Sequence, residues 1–339
     1  MGLARLMSTL GATLGGTLRG HRQRSEGGAV ALASDRRIWR EPDGPMETLF
    51  EFGPGGPALV PVPPFSFEQE HFAGSQPCVA VRDARDRRWR VKWGHEVQPE
   101  TFAVRFAAAC GYFAEVTHLV RAGKIEGAPA LSSARHCVDA NGRFADARFE
   151  LEDRHVHMLL NEDSWAWNDN PFVGTPQLTG LKLVVMLLSN WDTKDRRDVG
   201  RGSNTAIFEV PTQQRRYEAQ YLICDWGGAM GKWGTNVLSR GRWDPQGFTE
   251  QSQAFIEGVD APTSGGISTE VVRFGYRGQR TEDVASGIPV AHVRWFARQT
   301  MSIAAPVLRT GLVASGATDE EADSFAASLM MRLHQLRAL

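Results

Sequence analysis

The stretch LTGLKLVVMLLSNW, residues 178–191, limits the possible folds more than any other part of the sequence. It is apolar on nearly every side, which is typical of a helix buried inside a protein rather than one at its surface. Burying such a helix requires a large apolar core, and a chain of 339 residues is long enough to build one. A polar loop with Asp192 and Lys194 follows the helix directly.

Two alternating segments come after this loop and predict a hairpin. The segments NTAIFEV and YEAQYLICDW flank the polar turn PTQQRR. Asn204 begins the first strand and Asp225 ends the second, followed by Gly227 and Gly228. Because a hairpin brings these two ends together, we expect Asn204 and Asp225 to lie close. Amide and carboxylate oxygens suit Mg²⁺, which takes few protein ligands and keeps several waters.

The first half of the sequence predicts strands and one helix. The run CVAVRDARDRRWRVKW consists of two alternating segments around a polar turn, hence a hairpin that ends near Lys92. The following segment, QPETFAVRFAAACGYFAEVTHLV, predicts a helix, since Pro99 suits its first turn and Glu100 is favoured at its positive end. Gly111 is a candidate for its end. Glu100 is the expected partner of Lys92, and Glu96 is the alternative.

Together these elements predict an α+β chain in three parts. Residues 1–35 are expected to be a leader, either disordered or a weak amphipathic helix. Residues 36–160 would form a strand-rich part with one helix, and residues 161–339 a larger, mainly helical part that contains the hairpin. Near the C-terminus, Thr318 and Glu321 predict a capping box at the start of a last helix. Its apolar stripe would comprise Ala322, Phe325, Ala326, Leu329, Met330 and Leu333.

Charge and cysteine content exclude several classes of protein. The net charge is −1, so we expect no nucleic-acid partner. The four cysteines are scattered without a C-x-x-C pair, which indicates neither a disulfide framework nor a zinc knuckle. No stretch reaches the ~20 apolar residues of a transmembrane segment. We expect a cytoplasmic location, with a secreted or periplasmic one as the alternative if residues 1–20 act as a signal.

The order of the polar residues matches what phosphoryl transfer from ATP requires. That reaction needs a cation at the phosphates, ligands for Mg²⁺ and a carboxylate near the acceptor hydroxyl. Lys92 would supply the cation, Asp192 the carboxylate, and Asn204 and Asp225 the ligands. Taken singly, each residue has a simpler explanation, such as a solvated turn for Asp192. Their order along the chain is what favours a shared site.

At these residues the sequence resembles the protein-kinase-like superfamily. The pattern NWDTKD…N is similar to a kinase catalytic loop, and DWG is similar to the metal-binding D-F-G motif. The closer likeness is to atypical branches, namely spore-coat, secretory-pathway and phosphoinositide-kinase-like proteins. The chain also resembles a set of uncharacterised bacterial proteins that share the NWD-KD and DWG motifs. The likeness covers about residues 37–339 for that set and only short motifs for the characterised kinases.

The resemblance implies a bilobal protein-kinase-like fold, with ATP between a small strand-rich N-lobe and a larger, mainly helical C-lobe. Mg²⁺, or Mn²⁺ in its place, would accompany the nucleotide. The roles it implies are phosphate binding for Lys92, ion pairing with that lysine for Glu100, catalytic base for Asp192, proximity to the γ-phosphate for Lys194, and metal binding for Asn204 and Asp225.

The sequence departs from the kinase pattern at several points, and one is the spacing of Lys92 and Glu100, which is tighter than usual and makes Glu96 a rival. There is no H-R-D, because Asn190 and Trp191 precede the aspartate. The segment RRDVGRGS between Asp192 and Asn204 resembles an insertion with flexible glycines. No G-x-G-x-x-G lies upstream of Lys92, and the best candidates for a phosphate-covering turn are Gly74 and Ser75.

We therefore expect an atypical ATP- and Mg²⁺-dependent kinase-like phosphotransferase. Its acceptor would be a hydroxyl of a protein, a lipid headgroup or a small molecule. Two alternatives stay open: a pseudokinase that serves as a scaffold, and an enzyme of the same fold that transfers AMP or glutamate.

Overall fold

The computed structural model describes residues 35–72, 76–153, 157–158, 164–212, 217–261 and 269–339, with backbone alone for 157–158. The strands are β1 (Asp35–Arg37), β2 (Phe65–His71), β3 (Cys78–Arg82), β4 (Arg88–Lys92), β5 (Thr117–Glu126), β6 (Arg143–Leu151), β7 (His157–Met158), β8 (Thr205–Pro211), β9 (Tyr217–Ile223), β10 (Ile256–Asp260), β11 (Val271–Phe274) and β12 (Ile288–Pro289). The α-helices are α1 (Met46–Phe52), α2 (Val97–Ala109), α3 (Pro176–Leu187), α4 (Pro245–Ser252), α5 (Thr281–Ala285), α6 (Val290–Gln299), α7 (Ala305–Ala314) and α8 (Asp319–Arg337).

Strands β2 to β6 form a closed barrel in the order β2-β3-β4-β6-β5. The β3–β4 hairpin confirms the one predicted to end at Lys92. Neighbouring strands are antiparallel except β2 and β5, whose parallel pairing from Phe65 to Ile125 closes the ring. Alternate side chains fill the interior, as expected for strands with one buried face. This barrel core includes Phe65, Val79, Val81, Trp89, Val91, Phe144 and Phe149.

Helix α2 connects the barrel to a second, larger core. It packs on β5 and β6 and also contacts α1, α3 and α7. Its Phe102 and Phe106 are fully buried in the larger core, together with Phe50 of α1. The predicted helix is confirmed over Val97–Ala109, and Gly111 follows its end with a positive φ of 88° that glycine tolerates best. The end of the predicted segment is not helical, because THLV begins strand β5.

Helix α3 lies inside the larger core, as its apolar sequence predicts. Leu183, Val184 and Val185 are 0% exposed, and the helix contacts α2, α5, α6 and α8. Its N-cap is Thr175, whose hydroxyl accepts a hydrogen bond from the amide of Leu178. The polar loop after α3 therefore starts from one of the most deeply buried elements of the chain.

A second sheet follows this loop in the order β1-β9-β8-β7. The β8–β9 hairpin confirms the prediction for NTAIFEV and YEAQYLICDW. Strand β1 pairs in parallel with β9, and Trp39 packs edge-on against Trp295 with ring centroids 5.3 Å apart. Residues 35–52 thus contact the part of the chain after residue 160. The division into lobes at residue 160 stays a prediction.

The last helix begins with the predicted capping box. The Thr318 hydroxyl accepts from the Glu321 amide, and the Glu321 carboxylate accepts from the Thr318 amide at 2.8 Å. The buried face of α8 follows the predicted apolar stripe, except that Met330 is only partly buried. It also includes Arg332, which is fully buried.

The described residues form a fold of mixed α and β structure, with one closed five-stranded barrel. A barrel of this kind does not by itself identify a kinase-like N-lobe, so the bilobal fold stays a prediction. Among the helices in the described ranges, none is both long enough and apolar enough to span a bilayer. The predicted leader lies outside the described residues, apart from Asp35.

Candidate functional site

The loop that follows α3 is fixed by donors from distant parts of the chain. Each of its carbonyls from residue 190 to 193 accepts a hydrogen bond, so the backbone around Asp192 has a defined path. The bonds are Tyr276 Oη to Asn190 O at 2.6 Å, Gln279 N to Trp191 O at 3.0 Å, Asn204 Nδ2 to Asp192 O at 2.7 Å and Trp167 Nε1 to Thr193 O at 3.1 Å.

The Asp192 carboxylate has one paired and one unpaired oxygen. Oδ2 lies 3.3 Å from Nζ of Lys194, so the two predicted catalytic residues form an ion pair. Oδ1 is buried without a hydrogen-bond donor in the described part of the chain. Burial raises the pKa of Asp192, and the nearby charge of Asp225 raises it further, against the opposing effect of Lys194. The carboxylate is therefore a better proton acceptor than an exposed aspartate.

Strands β8 and β9 place Asn204 beside the Asp225 segment, as predicted. The Asn204 amide donates to Lys194 O at 3.1 Å, and its carbonyl accepts from Cys224 N at 2.8 Å. Asn204 is 2% exposed. Its side-chain nitrogen donates to Asp192 O, whereas its Oδ1 is buried with no donor among the described residues.

These unpaired oxygens fit a divalent cation. Buried polar atoms in proteins are nearly always hydrogen-bonded, so two unpaired acceptors in one crevice call for an explanation. Asn204 Oδ1 and the Asp225 carboxylate are hard oxygen ligands of the kind that Mg²⁺ prefers, and Asp192 Oδ1 is a further acceptor in the same crevice as Asn204. The described residues contain no group of three or more His, Cys, Asp or Glu that could hold a metal, so any such site relies on the Asn204 amide as well as the carboxylates.

Gly227 and Gly228 allow the segment after Asp225 to approach its neighbours closely. The Gly227 amide donates to Asp225 Oδ1 at 3.0 Å. A Cβ at position 228 would lie 2.8 Å from Asn190 Oδ1 and 3.0 Å from the Asp192 Cβ. A Cβ at 227 would lie 2.7 Å from Cδ of Glu96. Gly228 is thus required by close packing against Asn190 and Asp192, whereas at position 227 the flexible Glu96 side chain would have to move.

The expected pair between Lys92 and Glu100 is not formed. Lys92 of β4 is paired in register with Arg148 of β6, so two cations lie side by side on the outer face of the barrel. The buried Glu100 carboxylate contacts the Arg148 guanidinium instead. Lys92 has no hydrogen bond or ion pair with another described residue. Burial, and secondly the charge of Arg148, lower its pKa.

Glu96, the alternative partner, also binds another residue. Its Oε1 lies 2.8 Å from Nη1 of Arg242, in the loop after Asp225. Together with its contact to Gly227, this pair joins the turn after β4 to the DWGG segment. The chain segments that carry Lys92 and Asp225 therefore meet at Glu96.

Two further predictions concern the surrounding loops. Gly74 and Ser75, the candidates for a phosphate-covering turn, lie outside the described residues.

The segment RRDVGRGS is not an open glycine loop, because Arg196–Arg201 form a 3₁₀ helix with a capping box between Asp195 and Asp198. Its arginines form ion pairs, in which Arg196 contacts Asp169, Arg197 contacts Asp195 and Asp283, and Arg201 contacts Asp198.

The crevice around the unpaired oxygens is narrow. It is lined by Trp167, Val185, Asn190, Asp192, Thr193, Lys194, Asn204, Thr205 and Ile223. A wider, open hollow of about 490 Å³ lies on the barrel beside Arg135, His136 and Arg143, and none of the predicted site residues lines it. The narrow crevice has the more informative chemistry, since its acceptors lack partners.

Sequence reasoning missed two residues that shape the site. Arg148 forms an ion pair with the Glu100 carboxylate, and the Tyr276 hydroxyl donates a hydrogen bond to the carbonyl of Asn190. Arg148 belongs to a segment that reads only as a strand, and its pairing depends on the register of β6 against β4. Tyr276 lies in VRFGYRG, a segment without regular periodicity.

Comparison of the chain with protein-family models, with curated proteins and with solved structures finds no match.

Proposed function

We propose that this protein is an ATP- and Mg²⁺-dependent phosphotransferase that acts on a hydroxyl acceptor. The observation that carries the proposal is the pair of buried, unpaired oxygens on Asp192 and Asn204, next to the charge of Asp225. Asn204 Oδ1 and the Asp225 carboxylate would gain most from a bound divalent ion. Mg²⁺ supplies charge neutralisation for the phosphates of a nucleotide.

The residues then take distinct roles. Asn204 and Asp225 would hold the metal, and Asp192 would accept the proton of the acceptor hydroxyl. Its raised pKa suits that role, because a general base works best when its pKa approaches the working pH. Lys194, 3.3 Å from Asp192, would orient the carboxylate and lie near the γ-phosphate. Lys92, with no partner among the described residues, is available for phosphate oxygens.

In the proposed reaction the acceptor oxygen attacks the γ-phosphorus while its proton moves to Asp192. The bond between the γ-phosphorus and the β–γ bridging oxygen breaks, and ADP leaves with that oxygen. Catalysis of this kind depends mainly on positioning and charge, which agrees with a loop whose carbonyls are all bonded.

Thermal unfolding with ATP, with and without Mg²⁺, tests the proposal. A ligand that binds only the folded state stabilises it, by about 2.7 kcal/mol at a concentration 100 times its Kd. We expect a Mg²⁺-dependent rise in Tm for the wild type that Asp225→Ala loses. The matched control is Asp260→Ala, which should keep the rise, because Asp260 is exposed at the end of β10 and pairs only with Arg273 of β11 among the described residues.

The reaction type needs a second readout. After incubation with ATP and candidate acceptors, an adduct with the mass of a phosphate supports phosphotransfer, and one with the mass of AMP or glutamate supports the alternative transfer reactions. The absence of any stabilisation at millimolar ATP would favour the pseudokinase scaffold. The observation that favours a scaffold is the ion pair of Glu100, which forms with Arg148 and not with Lys92.

A further inference from the structure

Arg332 of α8 is buried, and it has no carboxylate partner among the described residues. It is 0% exposed, and every acceptor of its hydrogen bonds is neutral. Three aromatic rings surround the guanidinium, with the centroid of Phe248 at 3.7 Å, Trp233 at 4.8 Å and Phe255 at 5.5 Å. Its bonds are Nε to Ser252 Oγ at 2.8 Å, Nη1 to Leu187 O at 2.7 Å and to Ser189 Oγ at 2.8 Å, a longer one from Nη1 to Met186 O at 3.3 Å, and Nη2 to Phe248 O at 3.0 Å.

A buried guanidinium without an acid is rare, since a charge loses its hydration when it enters the core. Burial accordingly lowers the pKa of Arg332. Two features offset the loss of hydration. The carbonyls of the last turn of α3 form the negative end of the helix dipole, and aromatic faces attract cations. If α8 needed only to fill space here, an apolar side chain would do so at lower cost.

The bonds of Arg332 converge on the point where α3 becomes the loop. Ser189 is the first residue after the helix cap and has a positive φ of 54°, a conformation that non-glycine residues rarely adopt. Its hydroxyl accepts from Arg332, as do the carbonyls of the two residues before the cap. Arg332 thus stabilises the turn that directs the chain toward Asn190 and Asp192.

We propose that Arg332 is a positioning residue for the Asp192 loop. It holds the end of α3 and the strained Ser189, and so fixes where the carboxylate of Asp192 lies relative to Asn204. The proposed function enters only in naming Asp192 as the base. The order of the loop can be measured without any assumption about the reaction.

Amide hydrogen exchange of the full chain tests this inference. Exchange reports local opening separately from global unfolding. In Arg332→Met we expect the amides of residues 189–194 to exchange about tenfold faster or more, the size expected for one lost hydrogen bond to a charged group. Arg332→Lys, which keeps one donor group, should lie between this variant and the wild type.

Arg337 provides a matched control on the same helix. It also donates to backbone carbonyls, Thr300 O at 2.5 Å and Ile303 O at 3.0 Å, but these follow α6 and not α3. Arg337→Met should leave exchange at 189–194 unchanged. If Arg332→Met instead accelerates exchange equally in α4, α8 and the loop, or leaves the loop unchanged, Arg332 is a packing residue and the inference is overturned.

A milder variant decides the case if Arg332→Met does not fold. Ser189→Ala removes one acceptor of Arg332 and keeps the charge and the core. Faster exchange confined to 189–194 in this variant supports the positioning role, and unchanged exchange overturns it. If the wild type shows no Mg²⁺-dependent stabilisation by ATP, the proposed function fails while the exchange result still decides the role of Arg332.

Discussion

The outer face of the barrel and the loop after α3 both concentrate charged or polar side chains, but these side chains differ in how fully they are paired. On the barrel, carboxylates and guanidinium groups form a connected set in which Glu100 contacts Arg148, Arg148 contacts Glu150, and Glu150 contacts Arg90. In the loop, Asp192 Oδ1 and Asn204 Oδ1 lack donors within the described residues.

This difference separates the charges that are paired within the fold from the acceptors that we propose bind a ligand. A buried charge network whose members are all paired is already satisfied and holds the fold in place. Buried acceptors without donors are costly, and under the proposed function a bound cation offsets this cost. Lys92 is the exception on the barrel face. It has no hydrogen bond or ion pair with another described residue, and we propose that it binds phosphate oxygens.

The largest effect should come from breaking the barrel network. Glu100→Gln removes the charge opposite Arg148, which is only 5% exposed and keeps Glu150 alone. We expect a loss of about 3 kcal/mol of unfolding free energy, as for other buried pairs that lose one partner. Urea denaturation measures this loss.

The matched comparison is Asp260→Asn, which breaks the half-exposed pair with Arg273 and should cost about 0–1 kcal/mol. The double variant Glu100→Leu/Arg148→Met should recover most of the stability lost in Glu100→Gln, since no unpaired charge remains. A loss in Glu100→Gln no larger than that in Asp260→Asn would show that the barrel face is not a coupled network.

A smaller and opposite effect is expected at Asp192. Its folded-state pKa lies above that of the unfolded chain, so the folded state binds the proton more tightly. Stability contributed by this group is therefore lost as the pH rises through the folded-state pKa. Asp192→Asn should be more stable than the wild type at neutral pH, and the gain should disappear in acid, below the ordinary carboxyl pKa.

Thermal unfolding across pH, with and without Mg²⁺, makes this measurement. Adding Mg²⁺ should shrink the advantage of Asp192→Asn, because a bound cation stabilises the ionised carboxylate of the wild type. A variant that is less stable than the wild type at every pH would mean that Asp192 is already satisfied internally, as the barrel carboxylates are.

The smallest effect on stability is expected at Lys92. Burial lowers the pKa of its ammonium group, so the charge is a cost to the folded state at neutral pH. Lys92→Met should stay within about 1 kcal/mol of the wild type, yet lose the stabilisation by ATP and Mg²⁺. Lys182→Met is the control, since burial also lowers the pKa of Lys182 but it lies on α3 away from the barrel. A large loss of stability in Lys92→Met would place Lys92 in the structural network.

Local patterns predicted the elements well, because they depend on neighbours in the sequence. Alternation identified both hairpins, and the uninterrupted apolar run identified α3 as buried. The position of Asn204 opposite Cys224, the residue before Asp225, followed from hairpin geometry alone. Side-chain pairs that depend on the register of strands far apart in the sequence could not be predicted in this way. Glu100 lies nearer to Lys92 in sequence, but the alignment of β6 with β4 gives the carboxylate to Arg148.

The role of Arg332 was also hidden, for a different reason. Helical periodicity assigns charged residues to the solvent side, and Arg332 falls beside the apolar stripe of α8. This position suits a guanidinium only because the folded chain brings the carbonyls of α3 and of Phe248 within hydrogen-bond distance of it. The closure of the barrel by the parallel pairing of β2 with β5 likewise depends on contacts between segments far apart.

The parallel pairing of β1 with β9 has a consequence for the order of folding during synthesis. Asp35 is in register with Glu218, so more than half of the 339-residue chain lies between them. The barrel residues leave the ribosome before β9 exists, and domains generally fold as they emerge. The barrel can therefore close while β1 is still unpaired, and the first strand joins its sheet only after the segment with Asp192 and Asn204 has been translated. The candidate site therefore assembles at the same late stage of folding at which β1 pairs with β9.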